Sequence, residues 1–387
     1  MVDSISEIRP GVLSREQILL LMNENIIQNT TDSAGFSSFD LRIGNKYHVM
    51  KGGIKGEKNL PYSGVLNSSD FVESSRDFTE GQDLTLIPKK TYVFPLKEYL
   101  KIDKKYEIFG FASGKSTIGR LDVLTRLIAD GSGTYDEIQP SCSGGLYLEV
   151  TPITFPVIVK EGTKLAQLRL FHGTPSISQF TSEEFNLYPP MLLKKDGEKV
   201  KMEADFCYLH LNLDPVCIGD KEIYAFVARS DDEKPPIDLT IDLREPKNLL
   251  DPSVYWERIE KKDRCIMIEP ERFYILRSLE RFKLPEDVAV YGHPVSETLG
   301  EIRIHYAGFV HPSFGKYRED QTGTPLIFEV RGHNVNTFLR HGEAVAKLNF
   351  YKMSQKLKIT EEDKKKERDE GYDKQELKLS NYFSDWK

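Results

Sequence analysis

Leu146-Tyr147-Leu148-Glu149-Val150 returns 180 residues later as Leu326-Ile327-Phe328-Glu329-Val330. The same offset sets Lys160-Glu161-Gly162-Thr163-Lys164-Leu165-Ala166-Gln167-Leu168 against Arg340-His341-Gly342-Glu343-Ala344-Val345-Ala346-Lys347-Leu348, and Ser116 against Ser296. Upstream, Tyr92-Val93-Phe94 falls near Phe273-Tyr274-Ile275. One constant offset over several separated segments marks an internal duplication. The repeated runs are short, apolar or alternating, and bounded by Gly, Pro, Asn and Asp, which predicts strands. Ser38 to Ile43, Thr91 to Phe94 and Leu165 to Phe171 read the same way. The expected fold class is therefore mainly β: two tandem sandwich or jelly-roll domains with a few short helices. The repeats are placed at residues 1–185 and 200–355, joined through Tyr188-Pro189-Pro190 and followed by a charged segment, 356–387.

Two helices are predicted. Ser14-Arg15-Glu16-Gln17 has the form of a capping box ahead of Ile18, Leu19, Leu21, Met22, Ile26 and Ile27. A second is expected over Pro252 to Lys261, and Thr360 to Glu370 reads as a solvated charged face or tail. Across 387 residues the formal net charge is −7, which argues against a nucleic-acid polymer as partner because that needs a broad basic face. The four cysteines, Cys142, Cys207, Cys217 and Cys265, form no CxxC, so neither a disulfide framework nor a zinc knuckle is expected. No apolar run is long enough for a membrane span, and Met1 to Pro10 holds no signal-peptide core. A cytoplasmic location is the default expectation.

Three stretches carry chemistry. Ser113-Gly114-Lys115-Ser116-Thr117-Ile118-Gly119-Arg120 gathers Gly, Lys, hydroxyls and Arg, groups that cradle phosphate oxygens. It is no P-loop, since Gly110 and Gly114 stand one residue too close and the surroundings are β-rich. A polar surface turn is the plainer reading. Glu149 and Glu329 each sit inside an apolar strand. Either each points outward by alternation, or each occupies a dry site with a raised pKa suited to proton transfer. Arg303 to Gly315 alternates and then meets Pro and Gly, which predicts a β-hairpin, either an ordinary core hairpin or one whose backbone and aromatics read a pyrimidine.

Over nearly its whole length the chain resembles the dCTP deaminases of the trimeric dUTPase superfamily, in a long bacterial form with a duplicated domain. Ser37 to Lys46 is similar to the family's N-terminal strand, and Lys115 to Arg120 to its phosphate and catalytic motif. Leu148-Glu149-Val150 and Phe328-Glu329-Val330 both resemble the segment with the catalytic Glu. The hairpin through Ala307 and Pro312 resembles the pyrimidine-binding motif, and Tyr372-Asp373-Lys374-Gln375 the Tyr-x-x-Gln of the segment closing over the triphosphate.

The resemblance implies two dUTPase-like distorted jelly rolls and a hydrolase that converts dCTP to dUTP and ammonia, supplying dUTP for dTMP synthesis. Glu329 or Glu149 would move the proton. Ser116 would position water and amine, and Arg120 would orient the carboxylate or stabilise developing charge. Lys115, Thr117, His305, Tyr306, Ala307, Tyr372 and Gln375 would bind substrate. Mg²⁺ would accompany the triphosphate. Zinc is not expected, because the Pro-Cys-x-x-Cys segment of zinc deaminases is missing. A homo-oligomer, trimer or hexamer, is implied.

Each repeat departs from the pattern. Gly300 stands where the first repeat has Arg120, and the first repeat lacks the clear hairpin of the second. The intact phosphate motif and the better hairpin thus lie in different repeats, which favours Glu329 as the catalytic base, with Glu149 structural. His311 and Gln139 align with the dUTPase Asp that orients the attacking water. A dUTPase, a bifunctional deaminase–dUTPase and a non-catalytic nucleotide-binding module remain the alternatives.

Overall fold

In the computed structural model, the described residues are 5–31, 34–79, 81–229, 238–244, 249–260, 264–295, 303–305, 308–369 and 375–386. They form two compact units. One comprises Met1–Ser178, Thr240–Glu245 and Lys352–Leu357; the other Gln179–Leu239, Pro246–Tyr351 and Lys358–Lys387. Both are built almost wholly of antiparallel strands, so the fold is mainly β.

In the first unit, strand Thr91–Lys101 runs beside Ser143–Pro152, which also pairs with Val123–Ala129. Lys46–Met50 lies on the other side of Thr91–Lys101. A second sheet sets Lys164–His172 between Phe39–Arg42 and Ile108–Gly114. The second unit repeats this plan. Phe273–Phe282 pairs with Thr324–Arg331, with Ala225–Ala228 and with Leu192–Leu193. Thr324–Arg331 also pairs with Arg303–His305, and Cys207–Asn212 with Ala344–Lys352. Glu149 lies opposite Val93 and Glu329 opposite Ile275. Even an irregularity recurs: register slips near Lys164 against Arg42, and again at the matching place near Ala344 against His210. Alternation drives both units, because a strand with one face in the core buries every second residue.

The duplication extends further upstream than the strand repeats alone indicate. Helix Arg15–Asn23 begins at Ser14, whose N–H donates to Gln17 Oε1 at 3.0 Å, and it buries Gln17, Ile18, Leu21 and Met22. Ile27 has by then passed into a strand beside Thr91–Lys101. The second unit opens identically: Thr181 and Glu184 form a capping box on helix Ser182–Leu187, and Leu192–Leu193 pairs with Phe282 and Arg281. The stretch through Tyr188 to Pro190 thus lies within the second unit, and the units part at Ser178 and Gln179.

Three local expectations need correction. Helix Pro252–Tyr255 is a single turn, after which Trp256–Ile259 is a strand; Trp256 is wholly buried, which alternation on a strand delivers. The stretch from Arg303 is not a hairpin: Arg303–His305 pairs with Thr324–Arg331, whereas Phe309–Val310 pairs with Val288–Pro294. The first repeat makes the same change of partner, with Val123–Ala129 on Ser143–Pro152 and Glu137–Ile138 on Ile108–Gly114, so the feature is present in both. Finally, the C-terminal segment is docked. Leu377, Leu379 and Phe383 are buried, Trp386 stacks on Phe226 at 5.6 Å, and Arg258 lies 4.8 Å over its indole. The charged run is a helix, Glu361–Asp369, with Asp363 and Glu367 buried.

Candidate active site

Lys115 to Arg120 leaves the end of strand Ile108–Gly114 as a one-turn helix, Ser116–Gly119, with Lys115 at its N-cap. Ser116 is exposed, Thr117 half-buried and Arg120 buried at the C-cap. Lys115 Nζ is held 2.7 Å from Asp40 Oδ1, and Lys164 Nζ stands 3.5 Å from Oδ2 of the same carboxylate. Asp40 lies on the N-terminal strand, so two separate sequence features meet at one ion-pair cluster. Two ammonium groups on a partly exposed carboxylate leave local positive charge beside a hydroxyl, a setting suited to a phosphate.

Glu149 is buried, 7 % exposed. Its Oε2 accepts from the Ile54 N–H and from the Tyr135 hydroxyl, both at 3.1 Å. Arg126, opposite it on the neighbouring strand, adds a favourable charge while its Nε donates to Asp136 Oδ2 at 2.6 Å. The guanidinium also lies 4.6 Å over the Tyr135 ring. Burial raises the Glu149 pKa against the opposing pull of Tyr135, the Ile54 amide and Arg126. Burial likewise pushes Asp136 up to about 6, with Arg126 and the Leu127 N–H pulling it back. One cation therefore serves two dry carboxylates. The guanidinium facing Glu149 is that of Arg126, a residue the sequence reading did not single out. Alternation marks Arg126 as a strand residue, but only the pairing register puts it across from Glu149.

A surface segment covers this carboxylate. Gly53 lies so close that a Cβ there would sit 3.0 Å from Oε1 and 3.2 Å from Oε2. Tyr62, 1 % exposed, donates its hydroxyl to Ile54 O at 2.8 Å, and its N–H goes to Asp130 Oδ1 at 2.8 Å. Its ring packs 5.2 Å from Tyr147. Met50, Tyr62, Leu66, Val93 and Ile128 form a satellite core beneath the segment.

In the second unit Glu329 is also buried, 5 % exposed, with the His305 backbone opposite it. The His305 side chain, Tyr306, Ala307, Tyr372, Ser296 and Gly300 lie outside the described residues. Gln375 is buried, and its side chain donates to Pro325 O at 3.0 Å, a structural bond in this conformation. Glu376 beside it receives Arg277 at 2.7 Å, Arg281 at 2.6 Å and Arg318 at 2.9 Å. His311 Nε2 lies 3.3 Å from Glu367, and Gln139 is bonded to Glu137 at 3.4 Å.

The sequence signal had also missed a duplicated anchor. Glu98 accepts from Arg42 N–H at 2.8 Å and from its guanidinium at 2.7 Å; Glu280 accepts from His210 N–H at 2.8 Å and from its ring at 2.6 Å. Neither pair shares residue types on both sides, so only the fold reveals the match.

Two family models span the chain. The N-terminal domain of 2′-deoxycytidine 5′-triphosphate deaminase matches residues 9–174, and the C-terminal domain matches 197–383. Among solved structures, the crystal structure of 2′-deoxycytidine 5′-triphosphate deaminase from Agrobacterium tumefaciens is similar, with a TM-score of 0.77 and 26 % identity over 89 % of this chain and 99 % of that one. No curated protein sequence matches the chain.

Proposed function

The chain belongs to the 2′-deoxycytidine 5′-triphosphate deaminase family, and from this we infer that it hydrolyses dCTP to dUTP and ammonia. The observation that carries the inference is the match of both domain models, in order, across almost the entire chain. The matching models are those of deaminases, which disfavours a dUTPase. His311 and Gln139 at the aligned water-orienting positions, each engaged with a carboxylate, agree with that.

We assign the acid–base role to Glu329. A water gives its proton to the carboxylate and attacks C4 of the cytosine. The proton passes to the ring nitrogen, C4 becomes tetrahedral, and a further transfer to the exocyclic nitrogen releases ammonia as the C4 carbonyl forms. Ser116 positions the water and the departing amine, and Arg120 stabilises developing charge. Lys115 and Thr117 take phosphate oxygens, His305, Tyr306 and Ala307 the pyrimidine, and Tyr372 with Gln375 the closing of the C-terminal segment. Mg²⁺ enters as part of the triphosphate substrate. The intact phosphate motif of the first repeat, set against Gly300 in the second, supports a composite site in which Glu329 of the second repeat is the working carboxylate. No helix among the described residues is long and apolar enough to cross a membrane, and we place the enzyme in the cytoplasm.

Incubation with dCTP and Mg²⁺ tests the function, with nucleotides separated and ammonia assayed. Equal amounts of dUTP and ammonia without pyrophosphate are expected. Pyrophosphate would point to dUTPase chemistry, and dCTP binding without ammonia to a non-catalytic module.

A further inference from the structure

We infer that Arg277, Arg281 and Arg318 form a binding site for a phosphate group, and that Glu376 of the C-terminal segment fills it as a built-in anion until a polyphosphate displaces it. All four residues belong to the second unit, and the inference does not depend on the deaminase reading. The guanidiniums are aimed by groups other than Glu376. Arg277 Nη2 donates to Asp214 O at 2.8 Å, Arg281 Nε to Thr322 O at 3.2 Å and Gly323 O at 3.1 Å, and Arg318 Nε to Asp320 Oδ1 at 2.9 Å. A ligand therefore meets arginines that are already ordered. Their other N–H groups converge on three oxygens of the tail. Oε1 of Glu376 accepts from Arg281 Nη2 at 2.6 Å and Arg318 Nη2 at 2.9 Å. Oε2 accepts from Arg277 Nη1 at 2.7 Å and Arg281 Nη1 at 3.2 Å, and Gln375 O accepts from Arg318 Nη1 at 3.4 Å. Guanidinium forks around a cluster of oxygens are the usual means of holding a phosphate.

A single carboxylate leaves this site short of charge and of acceptors. Among the described residues, Glu376 and Asp320 are the carboxylates ion-paired with the three arginines. Asp214, which also acts on Arg277, is shared with Lys195 at 2.8 Å and Arg264 at 3.6 Å. Arg277 is 4 % exposed, and its Nε has no hydrogen-bond partner among the described residues. A buried donor without an acceptor is costly, and a phosphate brings both more charge and more acceptors than a carboxylate. The duplication supplies a second, independent observation. Ile327 faces Arg277 and Pro325 faces Arg281, with a register slip between the two pairs. In the first repeat Tyr147 faces Pro95 and Gly145 faces Tyr99, with the slip at the same point. The strand and its irregularity therefore form with Pro and Tyr where the second repeat has two arginines, so the fold does not require this charge. Burying it has a cost, and a ligand accounts for it. Glu376 is free to give way, since its side chain is about a third exposed and the segment stays docked through Leu377, Leu379 and Phe383. A tethered carboxylate competes at high effective concentration, so the ligand that displaces it is a polyphosphate carrying several charges.

Calorimetric titration of the full chain with sodium tripolyphosphate tests the site. Glu376→Gln, which keeps the shape of the side chain and removes its charge, should bind the probe at least about tenfold more tightly than the parent. Adding Arg318→Gln should remove most of that gain. Glu319→Gln makes the same change of charge on an exposed neighbour and should bind as the parent does. Tripolyphosphate held at Lys115 to Arg120 is common to all these proteins and cancels in the comparison. Equal affinity in the parent and Glu376→Gln would overturn the inference, as would a gain that is unchanged without Arg318 or is matched by Glu319→Gln. Glu376→Asp withdraws the carboxylate by one methylene and should show a smaller gain in the same direction; it carries the test if the Gln variant does not fold, and affinity no higher than the parent's would then count against the site. Repeating the titration with dCTP on the Glu329→Gln background separates the sources of the phosphate. A gain larger than that for tripolyphosphate identifies a nucleotide as the ligand, and a gain no larger identifies the phosphate chain alone. Ammonia is not read at any step, so failure of the deaminase reading would leave the outcome standing.

Discussion

Two glutamates at matching places in the duplicated strand are assigned different roles, and mutation separates them. Removing a positioned acid–base group typically costs about 10²–10⁴ in rate. Glu329→Gln should lose roughly that much of kcat with dCTP binding largely kept, and Glu149→Gln should keep most of its kcat. A dead Glu149→Gln beside a normal Glu329→Gln would reverse the assignment. Asp136 supplies a test by pH. Burial lifts its carboxyl to about 6 in the folded chain, against about 3.9 when unfolded. The folded state thus holds this proton more tightly, so ionising Asp136 costs stability. That cost is absent below about pH 4, grows between pH 4 and 6, and is complete above. The ion pair with Arg126 is already contained in the net upward shift. Asp136→Asn stays neutral throughout. Its unfolding free energy relative to the parent should therefore improve from pH 4 to pH 7, by an amount on the order of 2–3 kcal/mol. Denaturant titrations at the two pH values read this directly, and a difference that is flat or moves the other way would show that Asp136 is not held protonated.

At the scale of elements, the C-terminal segment, read from its sequence as a charged stretch closing over the triphosphate, is part of the second unit in this structure. Leu377, Leu379 and Phe383 are each under 10 % exposed, and burying such side chains contributes about 1.5–3 kcal/mol apiece. Ending the chain near residue 365 should accordingly lower the melting temperature as well as turnover; a truncated protein with parental stability would mean the docking is incidental. Glu376→Ala leaves three guanidiniums facing one another. Because the Glu376 side chain is about a third exposed, the loss should be on the order of 2 kcal/mol, below the figure for a fully buried pair. Much of this architecture was legible. Short apolar runs at a constant offset gave the duplicated β fold, and Ser14 to Gln17 gave the first helix. The remainder depends on information that periodicity does not hold. Pro252 to Lys261 mixes apolar and charged residues in a way that suits either helix or strand, and pairing with Ala225–Ala228 decides it. Arg303 to Gly315 looks like a hairpin because each arm alternates, yet which sheet receives each arm is a tertiary choice. The cover over Glu149 and the arginine beside it are contacts across 95 and 23 residues of sequence, set by the fold alone.

For the molecule as a whole, the duplication bears on assembly. The resemblance to a superfamily that builds its sites among three single-domain subunits implies that two repeats cannot complete a threefold arrangement. The chain itself argues in the same direction. The second repeat has Gly300 where the first has Arg120, so it lacks the full Lys115 to Arg120 motif and does not hold a complete set by itself. We therefore expect a homo-oligomer, trimer or hexamer, by light scattering. Its specific activity should fall when it is diluted below the concentration at which subunits separate, and recover on reconcentration. Added dCTP should oppose that loss, because a ligand bound only by the assembled form stabilises it by mass action. The same preparation should keep its activity in a zinc-selective chelator and lose it when Mg²⁺ is withdrawn at ordinary dCTP concentrations, since charge on the triphosphate, and not a metal at the reacting carbon, is what the cation offsets. A monomer that keeps full specific activity across the dilution series would show that one chain closes its own site, and the requirement for further repeats would fall with it.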